Sequence, residues 1–535
     1  MLFKEFSIYS FEEAISIFKI LQTLKFDYKF IQPCLTALSR LVNLTNYQDI
    51  YQVGDQLGHE GVKNIALYFL MYKIEKLKTE QFFFSLPCKD FCKILSHSLL
   101  NVPSEFCVVE LIISWLSQQD STTVELETMA MEMFSNVRWA RVSKAEMEHL
   151  MKKDLVHSSK NIQTCLKTLI AENVEKEARC WPRLLVVVEQ PPDSDRRADT
   201  EGGSQLCCVQ SYDTDTKLWS HLADIPGSVM GYSVTSVQNT LVLTSSNSSV
   251  PYLPIASQTY DIWADNWSKE PQLASEEAVL NEKEHSTVEV QDKVYTVLTP
   301  KHSQSQTTMC LHMLTGVLTD SPLWSLSSTI TPLTTPEIPQ LASSGELVHV
   351  IGQRTFTGAK HSLSLDTFNT ATQAWTGGYL SHAGPRVVQA GWVGWGCGVA
   401  RVGGVCLKTM NSSNQCVVFP VQGGDAKPLA SLVKERVRPG VVQFKGMMFA
   451  AGGYKQRMVE KEKKRKKKKM KAELVIEPSV EYYVPELDCW NLMRTQPKLS
   501  YGRVTMVVVD KPIRLMAKGN VTFKMKKGVK RPLVE

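Results

Sequence analysis

No part of this chain is apolar enough to cross a membrane. Its longest apolar run, ALYFLMY at 66–72, falls far short of the roughly 20 residues a spanning helix needs. The opening MLFKEFSIYS lacks the apolar core of a secretory signal, so none is expected. There are 13 cysteines, an odd number, scattered without the spacing of a disulfide framework. They are read as reduced thiols of a cytosolic or nuclear protein. Catalytic signatures are missing as well: no C-x-x-C, no H-E-x-x-H and no G-x-S-x-G occurs. The glycine-rich GWVGWGCG at 391–398 lacks the Lys-Ser/Thr of a phosphate-binding loop and lies between strands rather than before a helix, so it reads as a tightly packed strand. Cys88 and Cys92 share a helix face, but no second Cys/His pair follows to complete a zinc site, and they read as small buried hydrophobes. No catalytic residue, metal or cofactor is expected, and the chain is read as a non-enzyme.

A general surplus of one charge is absent too. The net charge is +6, yet the run EKEKKRKKKKMK at 460–471 holds nine of the 60 basic residues and two of the 54 acidic ones. The rest of the chain carries 51 basic against 52 acidic residues, which is not the composition of a nucleic-acid binder. Like charges packed this densely repel, so 456–472 is expected to be a disordered insertion. Its candidate roles are nuclear import through Lys461–Lys471, nucleic-acid contact or contact with an acidic protein partner; a solvated loop with no dedicated role is the alternative. A second basic stretch, 511–535, forms the C-terminal tail.

What is present falls into two textures. Residues 1–180 have few glycines and helical periodicity. FEEAISIFKILQTL at 11–24 places Phe11, Ala14, Ile15, Phe18, Leu21 and Leu24 on one face. Residues 44–78 read as a helix pair broken near Gly58–Gly61, and 85–97 as a short helix. Ser104 is an N-cap for a helix carrying Phe106, Val109, Leu111, Ile112 and Trp115. Further helices are expected at 123–136, 143–151 and 160–175. After CWPRLLVVVEQ (180–190) the period changes to short β-branched runs separated by Gly, Pro, Asn and Ser, the pattern of an all-β domain.

Within that half a motif recurs. SYDTDTKLW places Tyr212-Asp213 ahead of Trp219. Tyr260-Asp261 precedes Trp267 and Tyr483 precedes Trp490, each aromatic pair seven apart. Leu314 precedes Trp324, and Leu365-Asp366 precedes Trp375, at ten. The tryptophans step by 48, 57, 51 and 115 residues, the last covering two units. A period near 50 predicts a β-propeller with four-stranded blades. One indole per blade fills the wedge between neighbours, so Trp219, Trp267, Trp324, Trp375 and Trp490 are structural. Six blades are expected: 183–222, 230–270, 285–327, 340–378, 386–430 and 437–495. A strand at 501–510 closes the ring onto the first and removes free sheet edges.

The repeat resembles the kelch motif, whose glycine doublet is clearest as Gly452-Gly453 in FAAGGY. Gly403-Gly404 is read as lying in the wrong part of its unit. FFFSLPCKDFCKILSHSLLNVPSEFCVVELIISWL resembles the BACK domain of BTB–BACK–kelch proteins, and VRWARVSKAEMEHL matches later BACK helices. The resemblance implies a remnant of a truncated or degenerate BTB domain at 1–43, a BACK domain at 44–180 and a kelch propeller at 181–510. It implies a protein-interaction module, the substrate-recognition adaptor of a cullin 3 ubiquitin ligase in the cytoplasm, with a structural, actin-associated protein as the alternative. It also implies that partner-facing residues are Arg386, Arg438 and Arg503 at blade starts, with Tyr454 beside the doublet.

Overall fold

The computed structural model describes residues 8, 10–172, 179, 181–190, 208–222, 224–225, 233–237, 239–245, 256–262, 265–269, 278–279, 286–300, 309–315, 323–330, 340–355, 361–379, 387–421, 424–462 and 468–516. The chain divides into two compact units, Met1–Pro182 with Lys511–Glu535, and Arg183–Asp510.

The first unit is helical. Helix Phe11–Thr23 starts where the Ser10 hydroxyl accepts the Glu13 amide, and it buries Ala14, Ile15 and Phe18. The pair read around the glycines is Tyr47–Gln56 and Glu60–Tyr72. Helix Glu105–Leu116 is capped by Ser104 and buries Val108, Val109, Leu111, Ile112, Trp115 and Leu116. Capping boxes at Thr122/Glu125 and Ser143/Glu146 begin helices Thr123–Phe134 and Lys144–Met151. In each, two orphan amides are satisfied reciprocally, which fixes where the helix starts. Residues 511–516 are not a free tail: the Lys511 amide donates to the Pro182 carbonyl at 2.8 Å, Trp181 Nε1 donates to the Lys511 carbonyl at 3.1 Å, and a short helix follows at Ile513–Met516.

The second unit is a β-propeller. Besides a two-stranded ribbon, five of its sheets are each built from one run of chain: 233–269, 340–379 and 440–492 with four strands, and 278–330 and 387–429 with five. The remaining sheet is composite. Strand Arg503–Asp510 pairs antiparallel with Arg183–Gln190 along its whole length, from Arg183↔Asp510 to Gln190↔Arg503, and strands Val209–Asp213 and Leu218–His221 complete the sheet. Innermost strands neighbour one another in a closed cycle, from Arg503–Asp510 through Ser233–Val237, Thr287–Val290, Gln340–Ser344, Gly391–Trp395 and Gly440–Phe444 back to the start.

The repeating tryptophan lies directly across from its aromatic partner. Tyr212↔Trp219, Tyr260↔Trp267, Phe368↔Trp375 and Tyr483↔Trp490 are cross-strand pairs with ring centroids 5.0–5.5 Å apart. Leu314↔Trp324 occupies the same register position. One residue with positive φ sits two places before four of these tryptophans: Lys217, Asp265, Gln373 and Asp488. That left-handed step tightens the turn and sets the seven-residue spacing. The fourth copy is therefore Phe368-Asn369 and Trp375, seven apart, and not Leu365-Asp366. A phenylalanine has taken the tyrosine's place, so the Tyr-Asp signature is hidden. Three indoles donate to the preceding sheet around the ring: Trp219 to the Thr495 carbonyl, Trp375 to Ser328 Oγ and Trp490 to the Ala430 carbonyl, at 2.9–3.1 Å.

Gly403-Gly404 is corrected in position. Strands Gly391–Trp395 and Gly440–Phe444, and the doublets Gly403-Gly404 and Gly452-Gly453, stand 49 residues apart at each landmark. All four glycines have positive φ, at 64°, 113°, 62° and 95°. A Cβ on Gly403 would lie 2.5 Å from the Arg436 carbonyl, and one on Gly452 2.7 Å from Val504. Gly403-Gly404 is thus the doublet of its own unit. The long strand Gly398–Cys406 runs through it with a bulge between Val402 and Gly404, which blurred the unit's boundaries in sequence.

Among the described residues of the lysine-rich insertion, a paired ribbon stands in place of the expected disorder; 463–467 lie outside the described residues. Tyr454–Glu462 and Lys468–Ile476 are antiparallel over nine residues each, from Tyr454↔Ile476 to Glu462↔Lys468. Its base carries β-forming residues (Tyr454, Val475, Ile476), and pairing sets Glu462 opposite a lysine position.

Candidate functional site

A cavity of about 800 Å³ runs inside the ring of innermost strands. Hydrogen bonds between neighbouring strands show that all begin at one mouth. Ser233 Oγ and Thr287 Oγ1, both strand-initial, are 2.9 Å apart, and the Leu341 amide donates to Ser286 Oγ at 3.1 Å. At the other mouth the Asp510 amide donates to Asn239 Oδ1 at 2.7 Å and Gln291 Nε2 donates to Glu346 at 3.1 Å.

Charge is unequal between the mouths. Arg438 and Arg503 line the cavity at the strand-starting end, with Gln340 and Gln389 beside them. The lining carboxylates, Glu289, Asp292 and Asp510, belong to the far end, where Arg183 pairs with Asp510 at 3.1 Å. Burial pushes the Glu289 carboxyl up against the amide of Asp292, which donates to it and pulls the other way. Among the described lining residues, one mouth is cationic and the other mainly anionic.

Of the four residues expected to face a partner, Arg438 and Arg503 are brought together at this mouth. Arg438 has φ of +55°, and its amide donates to the Gln389 carbonyl at 2.8 Å, which anchors the turn that presents it. Tyr454 does not line the cavity. Its backbone exchanges hydrogen bonds with Val437, and its ring packs where a Cβ on Gly502 would lie, 2.6 Å away. Arg386 lies outside the described residues.

Sequence reasoning missed Arg436. It is wholly buried between the last two sheets, where Nε donates to Glu481 at 2.9 Å and Nη1 to the Gly452 and Ser479 carbonyls at 2.6 and 2.7 Å. Glu481 also accepts the Val433 and Lys434 amides. Burial pulls the Arg436 guanidinium down and the Glu481 carboxylate opposes that shift. The equivalent place in the composite sheet is Gln210, which exchanges two hydrogen bonds with the Lys498 backbone. The residue two before each cross-strand aromatic was the available signal, but its identity varies among Glu, Gln and Asp.

In the helical unit the residues quoted for the resemblance have clear work. Asn101 ties its loop to the Met71 and Tyr72 carbonyls. Glu105 is buried and receives the Arg179 guanidinium at 2.8 Å and the Arg138 amide at 2.9 Å. Lys63 bridges Asp55 and Asp90, both at 2.7 Å, and Tyr51 donates to Asp90 at 2.6 Å. Cys88, Cys92 and Glu132 come within ligand distance of one another, but burial pushes the Cys92 thiol up to about 12, which holds it as the protonated form. A metal would have to displace that proton from a buried thiol, and the donor set is poor.

The fold defines a two-part protein, a helical domain and a β-propeller, an architecture that serves protein–protein interaction. Residues 47–152 match the BACK family model (BTB And C-terminal Kelch). That match supports a protein of BTB/kelch type. A search of the curated proteins gave no match. No helix among the described residues is long and apolar enough to cross a membrane.

Proposed function

We propose that this chain is a non-enzymatic interaction protein whose propeller receives an acidic segment of a partner at the mouth lined by Arg438 and Arg503. With the composite sheet counted as a blade, the propeller is read as six-bladed. The observation that carries the proposal is the convergence of those two arginines at one end of the cavity, with every described lining carboxylate at the other. Such a field steers an anionic chain to one face and selects against a cationic one. The BACK match supports the second half of the reading: the helical unit links the propeller to a cullin 3 ubiquitin ligase, and the propeller partner is its substrate.

Affinity capture from cells tests both halves. Arg438→Glu with Arg503→Glu is expected to cut recovery of propeller partners about tenfold or more while cullin 3 recovery stays the same. Removing 1–182 is expected to have the reverse effect. Capture of filament proteins with no cullin 3 in any arm would replace the ligase reading with the cytoskeletal one. The Lys461–Lys471 run is proposed to direct nuclear entry, tested by its deletion with localisation as the readout.

A further inference from the structure

We propose that Cys208, His221 and Asp224 form a binding site for a thiophilic divalent cation of the zinc class, with a fourth position open to water. One donor atom from each lies within 4.8 Å of the other two. His221 Nε2 and Asp224 Oδ1 already stand 2.8 Å apart. Zinc bonds of about 2.0–2.3 Å at tetrahedral angles set neighbouring donors about 3.3–3.8 Å apart, so side-chain shifts of about 1 Å complete the shell. A thiolate and an imidazole beside one carboxylate suit zinc or cobalt, and not magnesium or calcium, which take oxygen donors. Coordination releases the thiol proton to solvent. None of the three residues lines the central cavity, so the site is separate from the arginine mouth.

Strand pairing brings the donors together. Gln210 stands across from Val187 on one side and from His221 on the other. Cys208 precedes Gln210 by two residues, so it shares a face of the composite sheet with His221. The Leu222 amide donates to the Val209 carbonyl at 2.8 Å and the Glu189 amide to the Cys208 carbonyl at 3.0 Å, which carries the pairing as far as Cys208. Asp224 follows the outermost strand and turns back to His221. A second carboxylate stands on the same face: Glu189 lies opposite Cys208 and is 1 % exposed. Burial pushes its carboxyl up, the Tyr501 and Ser500 amides pull it down, and the charge on Asp224 adds to the upward push. A divalent cation held by Asp224 offsets that repulsion. The place is also reachable, because the His221 and Asp224 side chains are 56 and 28 % exposed and Cys208 is half-buried. It differs in this from the cluster of Cys88, Cys92 and Glu132, where the Cys92 thiol is buried. Coordination ties the entry to Val209–Asp213 to the exit from Leu218–His221, and so braces the sheet that closes the ring.

Titration of the reduced, metal-stripped full chain with Co²⁺ tests the proposal. The wild-type chain is expected to show a thiolate-to-cobalt charge-transfer band in the near ultraviolet, which added Zn²⁺ abolishes by displacement. Cys208→Ala is expected to lose the band. His221→Asn and Asp224→Asn are each expected to weaken binding about tenfold or more, and Cys88→Ala is expected to change nothing. Thermal unfolding in EDTA checks that each variant keeps the fold, and Zn²⁺ is expected to raise the melting temperature of the wild type and not that of Cys208→Ala. One reading needs no variant: Zn²⁺ is expected to slow alkylation of Cys208 by iodoacetamide about tenfold or more, followed by mass spectrometry, while the exposed Cys397 reacts at an unchanged rate. Absence of the band, a band that survives Cys208→Ala, His221→Asn and Asp224→Asn chains that bind as tightly as the wild type, or Cys208 alkylation indifferent to Zn²⁺ would each overturn the proposal.

Discussion

Arg436 and Glu481 form an ion pair with both side chains wholly buried, 2.9 Å between nitrogen and oxygen, where the segment entering the last run-built sheet passes the doublets of two units. Every other Glu481 bond goes to backbone of that entering segment, so the pair fixes how one sheet leads to the next.

Breaking one partner leaves the other charged and buried. Arg436→Met and Glu481→Leu are each expected to destabilise the propeller by about 3–5 kcal/mol, measured by denaturant unfolding. Replacing both with these apolar residues is expected to cost clearly less than the two single changes added together.

Arg401 is the opposite case. It is 4 % exposed, and its Nε and Nη2 have no hydrogen-bond partner; its guanidinium lies 5.7 Å from the Phe419 ring centre. Burial pulls its affinity for the proton down. Arg401→Met keeps the stem and removes the buried charge. It is expected to stabilise the propeller by about 1–3 kcal/mol, seen as a rise in melting temperature.

The doublet glycines and a turn glycine separate two effects. Gly345 has φ of +57°, and a Cβ there meets nothing within 4 Å, so Gly345→Ala is expected to cost only about 1–2 kcal/mol of left-handed strain. Gly403→Ala adds a Cβ 2.5 Å from a backbone carbonyl and is expected to cost clearly more, by the same denaturant measurement.

Two buried groups in the sheet 340–379 oppose each other in pH. His349, bonded to Ser344 at 2.7 Å and Thr367 at 3.0 Å, is pulled by burial down to about 4. Its depressed value means stability is full above 6.5 and is lost as pH falls from 6.5 toward 4, because the unfolded chain takes the proton first. Burial pushes Asp366 up to about 6. Here the folded state takes the proton first, so stability rises as pH falls from 6 toward 3.8. Between pH 6 and 4 the contributions of these two groups to the unfolding free energy are expected nearly to cancel. Asp366→Asn is expected to raise stability at pH 7 by about 1–3 kcal/mol and to uncover a downward acid slope from His349.

Much of the propeller was legible because it repeats. The steps between Trp219, Trp267, Trp324, Trp375 and Trp490 set the period, and the closing strand followed from its run of β-branched residues. Phe368 escaped because one hydroxyl separates it from the tyrosine that marks its equivalents. The bulge at Gly403 hid a doublet that is plain once strands are paired. The Glu105–Arg179 and Arg436–Glu481 pairs join residues 74 and 45 apart in sequence, and no periodicity marks such a partner. Arg438 and Arg503 could be named as candidates from their places at strand starts, but their meeting at one mouth needed the ring.

The composite sheet also governs the order of events during synthesis. Arg183–Gln190 leaves the ribosome more than 300 residues before Arg503–Asp510, the strand it pairs with along its whole length. Until then the innermost cycle stays open, with two strand edges unguarded. A premature stop before Arg503 would therefore leave the ring unclosed however well its other sheets fold, and the long wait makes this the step at which chaperones would be most needed.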